Sequence, residues 1–157
     1  MDDGHGANTP GKRTPVIPEL GRSIKENEFN KAVVFYLDKE LKRCGFNTLW
    51  VASGDDDVPL STRTNRANAA KADAYISCHY NAGGGSGVET YHYPGSTQGK
   101  KLAQCIHEFV VQGTEQKDRG VKSANFHVLR ETRMPAALIE YGFMDRNKDC
   151  TEYWVKQ

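Results

Sequence analysis

The chain has 157 residues with 38% apolar and 10% aromatic content, enough for one domain around a single core and too little for two. Its 21 Lys and Arg against 20 Asp and Glu leave a net charge of +1, so no global field gathers nucleic acid or an anionic membrane. No run approaches the roughly 18 apolar residues of a membrane span, and the amino end lacks the basic, apolar, small-residue order of a signal peptide.

Residues 29–44 set Phe29, Val33, Tyr36, Leu37 and Leu41 at helical spacing, with Gly45 as a stop, and "FNTLWV" from Phe46 then reads as a strand. The loop "SGDDDVP" (53–59) breaks the pattern, "LSTRTNRANAAKA" reads as a helix, and "DAYISC" (73–78) is a compact strand-prone run. Beyond the glycines at 83–87, "GVETYHY" reads as a strand, and residues 98–112 place Leu102, Ile106, Phe109 and Val110 on one helical face. "DRGVK" (118–122) has the composition of a surface loop, "NFHVLR" and "AALIE" are two further strands, and "NKDCTEYWVKQ" begins a final helix. Strands alternating with helices predict a three-layer α/β domain on a largely parallel, mixed twisted sheet. The four cysteines, Cys44, Cys78, Cys105 and Cys150, form no C-x-x-C pair and read as buried reduced thiols.

In open α/β sheets the functional crevice lies outside the carboxyl ends of the strands. His79, in "SCHYNA", stands at such an end, as does Glu140, which closes "AALIE", and His5 precedes the loop beginning "GANTPGKRTP". Zinc in hydrolases is commonly held by three His and carboxylate ligands with a fourth position open to water. His5 and His79 supply two, and the start of the first helix offers Glu26 or Glu28 as the third, at an end where the helix dipole favours a carboxylate. Asn81 and "GGGSG" (83–87) let the backbone turn away from His79 without covering the metal's open side. Cys78 and His79 cannot form a nucleophile and base pair, because neighbouring strand residues face opposite sides. His92 and His127, within strands, and His107, in a helix, have no matching partners in the sequence.

"DDGHG" (2–6), "ENEFN" (26–30), "SCHYNA" (77–82) and "PAALIEYGFMDRN" (135–147) resemble, in order, the four blocks of the zinc-dependent N-acetylmuramoyl-L-alanine amidases of the type-3 class, which include phage endolysins and bacterial autolysins. The resemblance implies that His5 and His79 are zinc ligands. The family's ligand glutamate stands four residues before an asparagine, which from Asn30 selects Glu26 over Glu28. It further implies that Glu140 is catalytic, accepting a proton from water and delivering it to the departing amine. The scissile bond would be the amide between N-acetylmuramic acid and L-alanine of the stem peptide. Family members usually carry an apolar strand before the first block, whereas only Met1 and Asp2 precede Asp3 here. Arg130, ending "FHVLR", and Asn81 are further candidates, the first for a muropeptide carboxylate, the second for orienting His79 or touching the glycan.

The expected partner is peptidoglycan, met by a monomeric single catalytic domain over 1–157 without a wall-binding module, and not nucleic acid or membrane. The place of action would be the bacterial cell wall, reached by phage-type release from the cytoplasm or as part of a secreted protein. A zinc peptidase cutting within the stem peptide would use the same ligands, and a non-catalytic peptidoglycan-binding module would be expected to have lost one of the four acidic or imidazole positions.

Overall fold

The computed structural model describes residues 1–145. Helix α1 spans Glu26–Arg43, α2 Leu60–Ala69, α3 Thr97–Gln112 and the single turn α4 His127–Arg130; the strands are β1 Tyr75–Asn81, β2 Val88–His92, β3 Asp118–Ser123 and β4 Ala136–Phe143. The four strands form one sheet in the order β1-β4-β2-β3. β1 pairs parallel with β4 and β2 parallel with β3, while β2 runs antiparallel to β4. The expected mixed α/β sheet is therefore present, with the reversal falling in its centre.

Alternation along the strands distributes the core over both faces. On one face Tyr75, Ala136 and Leu138 join Ala67 of α2 and Val128 and Leu129 of α4 in a buried cluster. On the other, Thr90 of β2 hydrogen-bonds the His107 ring of α3 at 2.9 Å, and Tyr80 of β1 stacks on Phe29 of α1 with ring centroids 4.6 Å apart. Helices thus cover both sides of the sheet, giving three layers.

Several local expectations are corrected. "FNTLWV" forms no strand: its backbone bonds run to Met1 alone, through Val51 N–H to the Met1 carbonyl and the Met1 ammonium to the Leu49 carbonyl. Met1 and Asp2 in turn lie parallel to β1, with Asp2 bridged to Ser77. Such a short neighbour provides too few bonds for a ladder. "NFHVLR" is not a strand either but contains α4, which moves His127 from a strand to a helical turn. Val128 and Leu129 are adjacent and both belong to the same cluster, which a helical turn permits and a strand would forbid by sending them to opposite faces. "DRGVK" lies in β3, where charged residues suit the edge of the sheet. Among the described cysteines, only Cys78 is buried; Cys44 and Cys105 are exposed, Cys44 at the C-terminal cap of α1 and Cys105 on the face of α3 away from buried Ala103 and His107. Cys150 and the expected final helix lie outside the described residues.

Candidate metal centre

The carboxyl ends of β1 and β4 bring the principal candidates together. His79 and Glu140 are register partners in the parallel β1–β4 pair, so their side chains leave the same face of the sheet at the same level. Glu26 opens α1 and is buried, as is Asn30 one turn later. His5 sits in the tight segment that follows Asp2, with a φ of 57°. A left-handed conformation costs a non-glycine residue of the order of 1–2 kcal/mol, and the surrounding donors hold it in place. The His5 carbonyl accepts from Arg63 Nη2 at 3.0 Å and Asn27 Nδ2 at 3.2 Å, and the Gly4 carbonyl accepts from Asn27 and Asn30, both at 3.4 Å. Gly4 itself has φ +36°, and a Cβ there would lie 2.5 Å from His79 Cε1. The glycine before His5 is thus what lets the two imidazoles approach, with ring centroids 5.1 Å apart and planes perpendicular.

One ligand atom each from His5, Glu26 and His79 lies within 4.8 Å of the others. Glu26 Oε1 is 3.4 Å from His5 Nε2 and 3.1 Å from His79 Nδ1. Tetrahedral zinc with bonds of about 2.0–2.1 Å sets its ligand atoms roughly 3.3 Å apart, so both distances fit. Glu26 Oε2 is buried with no hydrogen-bond donor, and its nearest cation is Lys12 Nζ at 3.6 Å. Two imidazoles and a carboxylate form a donor set suited to zinc. Glu28, the other carboxylate weighed for this role, turns away: it caps the Lys25 N–H at 3.1 Å and pairs with Arg22 at 2.9 Å.

The electrostatics of the cluster are consistent with a cation site. Burial alone would raise the Glu26 carboxyl, but the His79 hydrogen bond and the charges of His79, His5 and Lys12 outweigh it and bring its pKa down to about 2. Burial lowers His5 to about 4, leaving its imidazole neutral and able to donate a lone pair near pH 7. For His79 burial acts downward too, yet the Glu26 hydrogen bond and the charges of Glu140, Glu26 and Asp2 raise it overall. Glu140 is pushed up to about 7, chiefly by burial, with His79 acting against the shift and Glu26 adding to it; its Oε2 is buried without a partner.

A network the sequence reading missed lies behind His79. Asp2, buried, accepts from the Tyr75 hydroxyl at 2.9 Å, the Ser77 hydroxyl at 2.8 Å and Arg63 Nη1 at 2.5 Å, and Ser77 Oγ lies 3.1 Å from His79 Nε2. Burial raises the Asp2 carboxyl, but Arg63, His79 and Ser77 hold it below its ordinary value overall. Ser77 could have been found from its spacing, because residues two apart on a strand share a face. Arg63 carried no such signal, since only the packing of α2 brings it to Asp2.

Asn81 stands at the end of β1, but its amide donates to Glu89 Oε1 at 2.8 Å, so His79 is oriented by Ser77 and Glu26 instead. Glu89, the antiparallel partner of Glu140, also accepts from Tyr91, Arg119 and Lys122; those bonds offset its burial and bring its carboxyl down to about 2. The glycine run after Asn81 is tied back: the N–H groups of Gly83 and Gly84 both donate to Asp145 Oδ2, at 2.8 and 2.7 Å, and the Ser86 carbonyl accepts from Arg119. Arg130 is placed elsewhere, on α4, where it bonds Asn125 and Glu131. It lines a cavity of about 280 Å³ that includes Ala136, the first residue of β4 and thus the end of the strand away from Glu140.

Comparison with known proteins agrees with this arrangement. The family model described as N-acetylmuramoyl-L-alanine amidase matches residues 1–153. A sporulation-specific N-acetylmuramoyl-L-alanine amidase of Bacillus subtilis is 38% identical over 97% of this chain, and an endolysin of Bacillus phage SPP1 is 37% identical over 95%. The match takes in 58% of the first relative and 55% of the second, so the chain spans a little over half the length of each. The solved catalytic domain of CwlV, an N-acetylmuramoyl-L-alanine amidase from Bacillus (Paenibacillus) polymyxa, superposes with a TM-score of 0.83 at 32% identity, covering 97% of this chain and 84% of that one. With this coverage in both sequence and fold, the chain belongs to the N-acetylmuramoyl-L-alanine amidase family.

Proposed function

We propose that this chain is a zinc-dependent peptidoglycan hydrolase, cleaving the amide between N-acetylmuramic acid and L-alanine of the stem peptide at the bacterial cell wall. The observation that carries the reading is the convergence of His5, Glu26 and His79, with Glu140 at the level of His79 on the neighbouring strand. Family membership supports the substrate class. Zinc held by His5, Glu26 and His79 would supply a Lewis acid for the amide carbonyl and lower the pKa of a water to about 7.

The chain's own residues supply the rest. Glu140, pushed up to about 7, is poised at neutral pH to accept the proton of the attacking water and to return it to the alanine nitrogen as the amide breaks. Its unpartnered Oε2 is free for both transfers. Gly4 sets the spacing of the imidazoles, and Asn27 and Arg63 hold the His5 turn.

Digestion of purified sacculi tests the reading. Alanine is expected as the new amino terminus with no new reducing sugar, and activity should disappear on chelation and return with zinc. A new amine on any other stem residue would make the chain a peptidase, and undiminished turnover in chelator would remove the metal.

A further inference from the structure

The proton inventory behind His79 points to a role for Ser77 and Asp2 beyond packing. Asp2 is a carboxylate held below its ordinary pKa and can only accept, so the Ser77 hydroxyl, 2.8 Å from Asp2 Oδ2, gives its single proton to Asp2. Ser77 Oγ then has only lone pairs for His79 Nε2 at 3.1 Å, and Nε2 must carry a hydrogen. Glu26 Oε1, a carboxylate oxygen, accepts from Nδ1 at 3.1 Å, so the Nδ1 proton is the one a metal would displace, leaving the Nδ1 lone pair for the ion and the hydrogen on Nε2. Asp2 is itself fixed through its other oxygen by Arg63, and both Asp2 and Ser77 are buried, at 1% and 0% exposure, so no water competes for the chain.

We propose that Asp2 and Ser77 form a positioning relay that fixes His79 in the tautomer presenting Nδ1 to the metal and orients its ring toward Glu26. The proposal rests on the reading of His5, Glu26 and His79 as the metal site. Outer partners of this kind typically contribute about 10- to 100-fold to metal affinity by holding a ligand's tautomer and orientation. Backbone bonds from Asp2 N–H to the Ile76 carbonyl and from Cys78 N–H to the Asp2 carbonyl hold Asp2 alongside Ser77 although it belongs to no strand.

Zinc affinity by chelator competition, compared among wild type, Ser77→Ala and Tyr75→Phe, separates the relay from packing. Tyr75 donates to the same oxygen of Asp2 and has no hydrogen bond with His79, so Tyr75→Phe removes an equivalent bond outside the relay. Ser77→Ala is expected to weaken zinc binding about 10- to 100-fold and Tyr75→Phe less than about twofold. Nitrogen-15 NMR of the imidazoles in zinc-loaded wild type, which needs no variant to fold, should show His79 protonated at Nε2. Equal affinities for Ser77→Ala and wild type, equal losses in both variants, or a proton on Nδ1 would overturn the relay while leaving the metal site standing. A wild-type protein that takes up no zinc would overturn both.

Discussion

Replacing Glu140 with Gln should have opposite effects on activity and on stability at alkaline pH. Burial lifts this carboxyl from 4.5 to about 7, so between those values the folded chain holds a proton that the unfolded chain has released. The stability Glu140 contributes is therefore fully present below the unfolded pKa and is lost as pH rises through about 7. At 1.36 kcal/mol per pH unit the loss approaches about 3 kcal/mol. Glutamine cannot ionise, so the variant avoids this loss. Urea unfolding of both proteins in chelator, at about pH 4 and about pH 9, isolates the effect, because every other titrating group is common to the two. Wild type should lose about 3 kcal/mol more than Glu140→Gln across that interval. In the zinc-loaded enzyme the same change should lower turnover by about 10²- to 10⁴-fold with metal binding retained. Parallel stability profiles would refute the claim that the fold holds Glu140 protonated, and wild-type turnover would remove it from the mechanism.

Arg63→Ala should destabilise the domain by about 3–5 kcal/mol in urea unfolding, because it strands the buried Asp2 carboxylate and removes a donor from the His5 carbonyl. Gly4→Ala should weaken zinc binding at least about tenfold by calorimetry, since the added methyl meets the His79 ring at 2.5 Å; unchanged affinity would mean that the turn relaxes without moving that ring. Zinc at 100 times its Kd should stabilise wild type by about 2.7 kcal/mol, read as a rise in Tm, with no rise in His79→Ala. A comparable rise in that variant would place the ion elsewhere.

How legible the molecule is from its residues varies with the range of the interactions. α1, α2 and α3 follow from helical spacing and nearby stops, and β1, β2 and β4 from compact β-prone runs, because these signals lie within a few residues of one another. The failures have a common origin. "FNTLWV" has strand composition but finds only Met1 as a backbone partner, while polar "DRGVK" becomes β3 because β2 offers it a full ladder. "NFHVLR" turns into a helical segment because Val128 and Leu129 must both reach one cluster.

The sequence by itself determined which side chains could carry the chemistry: His5, His79 and Glu140 stand out by type and by their places beside glycines and strand ends, and the head of the first helix offers Glu26 and Glu28, of which the family resemblance selects Glu26. Only the tertiary structure decided that Glu28 turns to Lys25 and Arg22, that Arg130 sits at the other end of β4, and that Asp2, Arg63 and Ser77 back His79. The physical reason is that a ligand sphere and a hydrogen-bond chain are set by distances of about 3 Å, and residues 2, 63 and 77 acquire such distances only after α2 and β1 have packed around the first residues of the chain.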